Sequence, residues 1–235
     1  MPGDESGERA RATASRAKTL ITSTYERSAA DFARLADKLV YSHLAEPLAA
    51  ALADVEGLVL DVASGTGALA RRLPQVVATD ISLAQLVHNP VALKATGDAE
   101  ALPFRTGTFV AAVSAFGINH FPDPGGAVRE MARVGSVVGL LTWARPDAPF
   151  VPREIVLETV ARHAGRSRTE AGDVIEELTD ATGSGAALER LLADARLAPE
   201  VSETTVNVPW PGTEEFVDYR MSMTGVMSAI TDARS

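Results

Sequence analysis

The sequence contains no cysteine, and this absence excludes several kinds of chemistry at once. Disulfide bonds, thiolate catalysis and cysteine-ligated zinc sites all require a residue that the chain lacks. The four histidines are scattered, without the spacings that metal ligands adopt, and they are His43, His88, His120 and His163. We therefore expect no metal site and no cysteine-based catalysis.

Positive charge is also scarce, because 22 lysines and arginines stand against 31 aspartates and glutamates, for a formal net charge of -9. This balance disfavours tight binding to a phosphate backbone, so we expect no nucleic-acid partner. The longest apolar run, VGSVVGLLTWA at 134–144, is well short of the roughly 20 residues that a membrane helix needs. The N-terminus is charged rather than signal-like. The sequence thus predicts a cytoplasmic protein with no membrane partner.

The length and composition are those of one globular domain. At 235 residues with 46% hydrophobic content, the chain can bury one well-formed core. Residues 1–18 mix charged and small residues without an apolar period, so we predict a disordered arm before a single domain over 19–235. Apolar residues that recur every three or four positions predict N-terminal helices over 19–55.

Strand-like and helix-like segments alternate through the core, residues 56–144. Strands are predicted at 58–63, 75–80, 91–97, 108–117 and 136–143, with helices over about 68–73, from Ser82 and over 124–134. Continuous apolar strands in such alternation indicate an α/β fold, with a doubly wound, mostly parallel sheet and helices on both faces. Ligands bind beyond the carboxyl ends of the strands in such sheets.

Helical patterns continue beyond the core. Patterns at 150–164, 171–181 and 184–195 predict a helical insertion over 145–198 that would form a substrate cap. The C-terminal part, 199–235, is predicted to contain a strand at 202–210 and a helix near 213–224.

The stretch VLDVASGTGALARRL at 59–73 places two glycines between a strand and a helix. Glycine lets the backbone reach unusual dihedrals and lets a ligand lie directly against the chain. GTGALA satisfies the dinucleotide fingerprint, which makes a nicotinamide-dependent oxidoreductase one alternative. In that fold the ribose-binding acid follows by about 20 residues, whereas Asp80 lies 15 residues after Gly65. A turn that only connects strand to helix is another alternative.

Three acids stand at the ends of the first three predicted strands, Asp61, Asp80 and Asp98. A carboxylate at Asp80 can accept two hydrogen bonds from vicinal ribose hydroxyls. A carboxylate at Asp98 can accept from the amine of adenine, with Leu102 and Phe104 as apolar surface beside the ring. The nicotinamide fingerprint does not predict this set of acids. An adenosine that carries a positively charged group would be bound by three such carboxylates.

This combination resembles the class I S-adenosylmethionine-dependent methyltransferases, in particular their small-molecule branch with the pattern VLDxxxGTG … DxS … GDAExLPFxxxxF. The resemblance covers about residues 25–150. It implies a Rossmann-like fold, S-adenosyl-L-methionine as the cofactor, and methyl transfer to an O, N or C nucleophile of a small organic molecule. Where the family has a longer turn before the fifth strand, only Gly135 remains here, so we expect a very tight joint.

The resemblance also assigns expected roles to residues. Gly65 and Gly67 would pass under the cofactor, Asp61 would support the loop and the amino group, and Asp80 would hold the ribose diol. Asp98 and the amide of Ala99 would read the adenine edge, Ser114 would lie beside the sulfonium, and Phe32 would close over the cofactor. The same set of expected cofactor-binding residues includes Ala63, Thr66 and Ile81.

Methyl transfer is an in-line displacement that depends on alignment and on exclusion of water, so the acceptor pocket must be covered. We expect the N-terminal helices and the insertion over 145–198 to form that lid. His120, just past the fourth strand, is the first candidate for a base, and His43 is the second. A structural hydrogen-bonding role is the alternative for His120.

Other readings stay open. A protein of the same fold could bind S-adenosylmethionine without transferring its methyl group, as a catalyst of another reaction or as a sensor. A nicotinamide-dependent oxidoreductase is less favoured because of the acid spacing. The oligomeric state is undecided, with a homodimer as one option.

Overall fold

A five-stranded parallel sheet forms the centre of the molecule. The computed structural model describes residues 5–145, 150–165 and 170–222. The strands are β1 (Val59–Val62), β2 (Val76–Asp80), β3 (Lys94–Thr96), β4 (Phe109–Ala115) and β5 (Gly135–Leu141). They lie in the order β3-β2-β1-β4-β5, and every neighbouring pair is parallel. The α/β fold with a doubly wound parallel sheet is thus confirmed.

Helices surround this sheet. They are α1 (Glu5–Asp31), a π-helix (Phe32–Tyr41), α2 (Ser42–Leu44), α3 (Glu46–Ala51), α4 (Leu83–His88), α5 (Pro124–Val134), α6 (Val151–Ala164), α7 (Glu170–Thr182), α8 (Gly185–Asp194) and α9 (Thr213–Ser222). No helix among the described residues is both long and apolar enough to cross a membrane.

Alternate side chains of the strands enter two separate cores. On one face Leu60 and Ala112 pack with α5 residues such as Met131. On the other face Val59 and Ala111 pack under the N-terminal segment. This two-residue alternation explains why the strands are apolar on both sides.

The joint between α5 and β5 is as tight as the sequence predicts. Asp123 caps α5, because its carboxylate accepts from the amide of Gly126 at 2.8 Å. β5 begins at Gly135, directly after the last helical residue, Val134. A Cβ at Gly135 would lie 2.6 Å from the amide nitrogen of Ala112, so only glycine fits there.

Three elements differ from the predictions. The helix over 68–73 is only a 3₁₀ turn, Ala70–Arg72, because Leu73 must be extended before a proline. No strand forms at 202–210 among the described residues, where Pro209 cannot donate a ladder hydrogen bond. Residues 5–18 of the predicted disordered arm belong to α1 instead.

Candidate active site

A deep cleft lies at the carboxyl ends of β1, β2 and β4 and encloses about 970 Å³ of empty space, its mouth included. Its lining includes nine residues predicted from the sequence: Phe32, Ala63, Gly65, Thr66, Asp80, Ile81, Asp98, Ala99 and His120. Further lining residues come from α1, which lies over the cleft as part of the expected lid. The described residues of the predicted cap at 145–198 do not line the cleft. One of them, Thr179 of α7, accepts a hydrogen bond from Asn119, which does not line the cleft either.

The glycine loop after β1 has left-handed backbone at three positions. The φ angles are 54° at Ala63, 52° at Gly65 and 92° at Gly67. Such values are rare for a residue with a side chain, so Ala63 is held in a strained conformation at the cleft wall. Gly65 borders the cleft, and a Cβ there would have only Gln85 within 4 Å.

Gly67 has a packing role that the sequence did not predict. It does not line the cleft, and a Cβ there would lie 2.8 Å from Oδ1 of Asn89 and 2.9 Å from Cδ of Pro90. That Gly67 passes under the cofactor stays a prediction, and the structure adds a packing role for this glycine. Glycine is needed there for packing and for its positive φ.

The two glycines should therefore respond differently to alanine. We expect Gly67→Ala to lower the free energy of unfolding by roughly 2 kcal/mol or more, because both dihedral strain and a collision arise. We expect Gly65→Ala to cost about 1 kcal/mol but to weaken binding of S-adenosylhomocysteine, because its Cβ enters the cleft. Urea unfolding and calorimetric titration of both variants test this. Unchanged ligand affinity in Gly65→Ala would contradict the placement of the ligand against the loop.

Asp80 connects the loop to the end of β2. Its Oδ2 accepts from the amide of Gly65 at 2.8 Å and its Oδ1 from the amide of Ser82 at 2.9 Å. Burial raises the pKa of Asp80 to about 6, against the lowering effect of these amides. Each carboxylate oxygen keeps a second lone pair, so a ribose diol has acceptors there. Beside it, Ile81 is 41% exposed.

Asp61 supports the loop from behind. It is 1% exposed, does not line the cleft, and accepts from Oγ of Ser64 at 2.7 Å. Burial raises the pKa of Asp61 to about 7, and the Ser64 hydrogen bond opposes that rise. The expected loop support agrees with this contact, whereas a direct contact with a ligand's amino group does not.

The raised pKa of Asp61 predicts an inverse pH dependence of stability. Between about pH 4 and pH 7 the folded protein holds a proton that the unfolded chain has released, so the free energy of unfolding falls as the pH rises. One such group contributes at most about 1.4 kcal/mol per pH unit. Asp61→Asn should flatten this slope, whereas the exposed control Asp54→Asn should keep it. Equal slopes in urea unfolding of the wild type and Asp61→Asn would contradict the assignment.

At the adenine end predicted from the sequence, a lysine from α1 contacts two carboxylates. Nζ of Lys18 donates to Oδ2 of Asp98 at 2.7 Å and to Oε2 of Glu100 at 2.6 Å. The other oxygen of Asp98 accepts from the amide of Glu100 at 3.0 Å. Asp98 thus keeps only its second lone pairs for a ligand amine, and Lys18 reduces the negative charge of this corner.

Within the same cleft, His120 pairs with Tyr25. Nε2 of His120 lies 2.7 Å from Oη of Tyr25, and Nδ1 lies 3.0 Å from the carbonyl oxygen of Phe116. A carbonyl can only accept, so we assign the proton to Nδ1, which leaves Nε2 to accept from Tyr25. Burial lowers the pKa of His120 to about 4 and raises the pKa of Tyr25 far above its usual range.

Aromatic rings form the wall beside this pair. Phe32, Tyr41, Phe116 and Phe121 line the cleft, and the ring of Trp143 lies 4.7 Å from that of Phe116. Phe116 has a φ of 61°, a second strained residue at the cleft. Planar apolar surface of this kind suits an aromatic or otherwise apolar ligand.

Two predicted residues lie away from the cleft. Ser114 is fully buried, and its Oγ lies under Gly117, so its expected place next to the sulfonium stays a prediction that the cleft lining does not support. His43 is exposed on α2 and does not line the cleft, so the geometry favours His120 over His43 as the candidate base. The register of a strand end and the face of a short helix are not fixed by the motif.

Several functional contacts were missed in the sequence. The N-terminal helices that carry Tyr25 were expected to form the lid, but the pairing of Tyr25 with His120 was not expected. Lys18 of α1, which reaches Asp98, and Asp37 of the π-helix, which reaches the glycine loop, were not candidates. Gln85 lines the cleft and donates to the carbonyl of Tyr25 at 3.0 Å. Polar residues inside the helical pattern of the predicted lid were the available signal for Tyr25 and Asp37.

Comparison with known proteins agrees with this geometry. Residues 60–142 match the family model of a methyltransferase domain. The demethylmenaquinone methyltransferase of Corynebacterium kroppenstedtii is 40% identical over 101 residues, which are 40% of this chain and 44% of that protein. The demethylmenaquinone methyltransferase of Mycobacterium marinum is 32% identical over 151 residues, 58% and 65% of the two chains. The chain thus spans about half the length of the curated relatives it matches.

One solved structure shows the same fold across most of the chain. It comes from the complex between the Haloferax volcanii Trm112 methyltransferase activator and a methyltransferase. It aligns with a TM-score of 0.55 and 16% identity, over 86% of this chain and 90% of that one. At this identity the likeness concerns the fold alone.

Proposed function

We infer the function from the premise that residues 60–142 of this chain form a class I S-adenosylmethionine-dependent methyltransferase domain. The chain transfers a methyl group from S-adenosyl-L-methionine to an O, N or C nucleophile of a small organic molecule. The observation that carries this proposal is that one cleft is lined both by the carboxylates Asp80 and Asp98 and by the Tyr25–His120 pair.

The residues present suit an adenosyl cofactor. Gly65 leaves room against the backbone, Asp80 offers oxygens to a diol, and Ile81 exposes apolar surface for the adenine ring. Asp98 and the amide of Ala99 would read the edge of that ring. When bound, the cofactor supplies an electrophilic methyl group on a sulfonium.

The chain's own contribution is to orient the acceptor and to exclude water. α1 and the π-helix cover the cleft, and the aromatic wall holds the acceptor beside Tyr25. We propose that the acceptor gives its proton to Oη of Tyr25 while Tyr25 gives its own proton to Nε2 of His120. Because its pKa is about 4, His120 is neutral at neutral pH and can receive that proton.

The acceptor class follows from the wall and from the relatives. Two curated relatives are named demethylmenaquinone methyltransferases, and Phe32, Tyr41 and Phe116 offer stacking surface for a ring. We propose an apolar, ring-containing acceptor. The net charge of -9 supports a small molecule over a nucleic acid. A cytoplasmic location and a homodimer as one oligomeric option stay predictions.

A mass-spectrometric screen tests the activity. Purified protein is incubated with S-adenosylmethionine and pools of small aromatic molecules, quinols among them. We expect one pool component to gain the mass of one methyl group in exchange for hydrogen, with equimolar S-adenosylhomocysteine. An omission of the cofactor is the control. Cofactor binding without any methylated product across pools would instead favour the alternative of a non-methylating protein of this fold.

A further inference from the structure

The π-helix Phe32–Tyr41 touches two parts of the cleft at once. Its buried carboxylate, Asp37, reaches the glycine loop, while its two terminal rings, Phe32 and Tyr41, line the cleft. π-Helical turns are rare and are often found at functional sites. The π-helix therefore connects the aromatic wall to the glycine loop.

On the loop side, Asp37 holds the conformation of Thr66. Oγ1 of Thr66 donates to Oδ2 of Asp37 at 2.7 Å, and the guanidinium of Arg71 donates to the same oxygen at 2.5 Å. Arg71 also donates to the carbonyl oxygen of Thr66 at 3.1 Å. Both the side chain and the backbone of Thr66 are thus fixed, and Thr66 stands between Gly65 and Gly67, which both have a positive φ.

Stability alone does not explain a carboxylate at this position. Asp37 is 2% exposed, and its second oxygen, Oδ1, is buried and has no hydrogen-bond partner among the residues that the structure describes. The free-energy cost of desolvating a buried carboxylate is large, and it often exceeds the electrostatic stabilisation that the ion pair provides. The contacts of Asp37 with Thr66 and Arg71 instead fix the position of the glycine loop.

At its two termini, the same π-helix contributes rings to the aromatic wall. The rings of Phe32 and Tyr41 lie 5.2 Å apart, and the ring of Tyr41 lies 5.3 Å from Phe116 and 6.0 Å from Trp143. A shift of the π-helix would move this wall. Trp143 therefore lies where it can report such a shift through its fluorescence.

We propose that Asp37 is a positioning residue that links the glycine loop to the aromatic wall, so that cofactor binding sets the position of the wall that receives the acceptor. This inference rests on the proposed function, because it requires that the adenosyl cofactor binds against the loop. Asp37 acts through Thr66 and Arg71 and does not itself line the cleft.

The test uses the full chain with Trp210→Phe as background, so that Trp143 is the sole tryptophan. S-Adenosylhomocysteine is titrated by calorimetry and by Trp143 fluorescence. In this background we expect Asp37→Asn to weaken binding by about tenfold or more, the effect of losing one charge-assisted hydrogen bond. We also expect it to abolish the fluorescence change at saturation. Asp31→Asn is the matched control, because it removes only an exposed ion pair with Arg34 just before the same helix.

Each outcome is decisive. Loss of affinity and of the Trp143 response in Asp37→Asn, with both kept in Asp31→Asn, supports the proposal. Unchanged affinity, or weaker affinity with a full Trp143 response at saturation, overturns it. If Asp37→Asn fails to fold by circular dichroism, Arg71→Met, which leaves the carboxylate in place, must show the same two losses or the proposal is overturned. Absence of binding by the background protein with Asp37 intact would refute the proposed function and this inference together.

Discussion

His120→Gln is expected to reduce turnover by about 10²-fold, the lower end of the range for general base catalysis. A base with a pKa of about 4 is weak, which is why the lower end applies. Cofactor affinity should barely change, because the ring of His120 contacts Tyr25 and the carbonyl of Phe116 and not the glycine loop. The rate of the wild type should fall below about pH 4 as His120 becomes protonated, and this acidic limb should vanish in the variant. Single-turnover rates as a function of pH provide the measurement.

Two further variants make the result specific. Tyr25→Phe removes only the hydroxyl that donates to Nε2, so it should lower turnover to a similar extent. His43→Gln changes an exposed histidine away from the cleft and should leave turnover unchanged. A normal rate in both Tyr25→Phe and His120→Gln would show that the acceptor is nucleophilic without a base and that catalysis rests on alignment. If His120→Gln lowers the melting temperature and leaves the pH profile of the rate unchanged, His120 has a structural role.

Asp80→Ala is expected to weaken binding of S-adenosylhomocysteine by about 10²-fold or more. Loss of a charged acceptor costs about 1.5 to 3 kcal/mol, and the amides of Gly65 and Ser82 lose their partner as well. The wild-type affinity should also fall as the pH drops below about 6, where Asp80 becomes protonated. Calorimetry at several pH values tests both statements.

The exposed control for Asp80 is Asp54→Ala, which should bind the ligand as the wild type does. Asp80→Asn keeps one acceptor oxygen and should lie between the wild type and Asp80→Ala. Unchanged affinity in Asp80→Ala would place the ribose elsewhere and would refute the assignment of this end of the cleft.

The sheet and the position of the acids at one edge of it could be predicted because their signals are local. Apolar runs mark the strands, and acids that end neighbouring parallel strands must meet at one edge. Asp80 and Asp98 therefore line one cleft although they are 18 residues apart. The bounds of α5 could be predicted for the same reason, because Asp123 and Pro124 mark its start.

The N-terminal helices could be expected over the cleft, but their contacts could not be predicted because these contacts join distant parts of the chain. Tyr25 meets His120 across 95 positions, and Lys18 meets Asp98 across 80. No spacing in the sequence encodes such pairs, which depend on how α1 packs over the sheet. The side chain of Ser114 is likewise not placed by the motif, because the motif fixes the order of residues but not the face of the strand on which each one lies.

The region at 202–210 shows how an apolar alternation can mislead. Val206, Val208 and Trp210 alternate as in a strand, and they do pack together against the cluster that contains Tyr41. Burial thus accounts for the pattern without any strand pairing. Proline on both sides of Trp210 removes two donors from the backbone there.

Calorimetric titration of the wild-type chain with S-adenosylhomocysteine, with NAD as the comparison ligand, tests the central claim most directly. The cleft with Asp80 and Asp98 at successive strand ends predicts one binding site for S-adenosylhomocysteine and no heat from NAD. Measurable affinity for NAD without any response to S-adenosylhomocysteine would contradict the account.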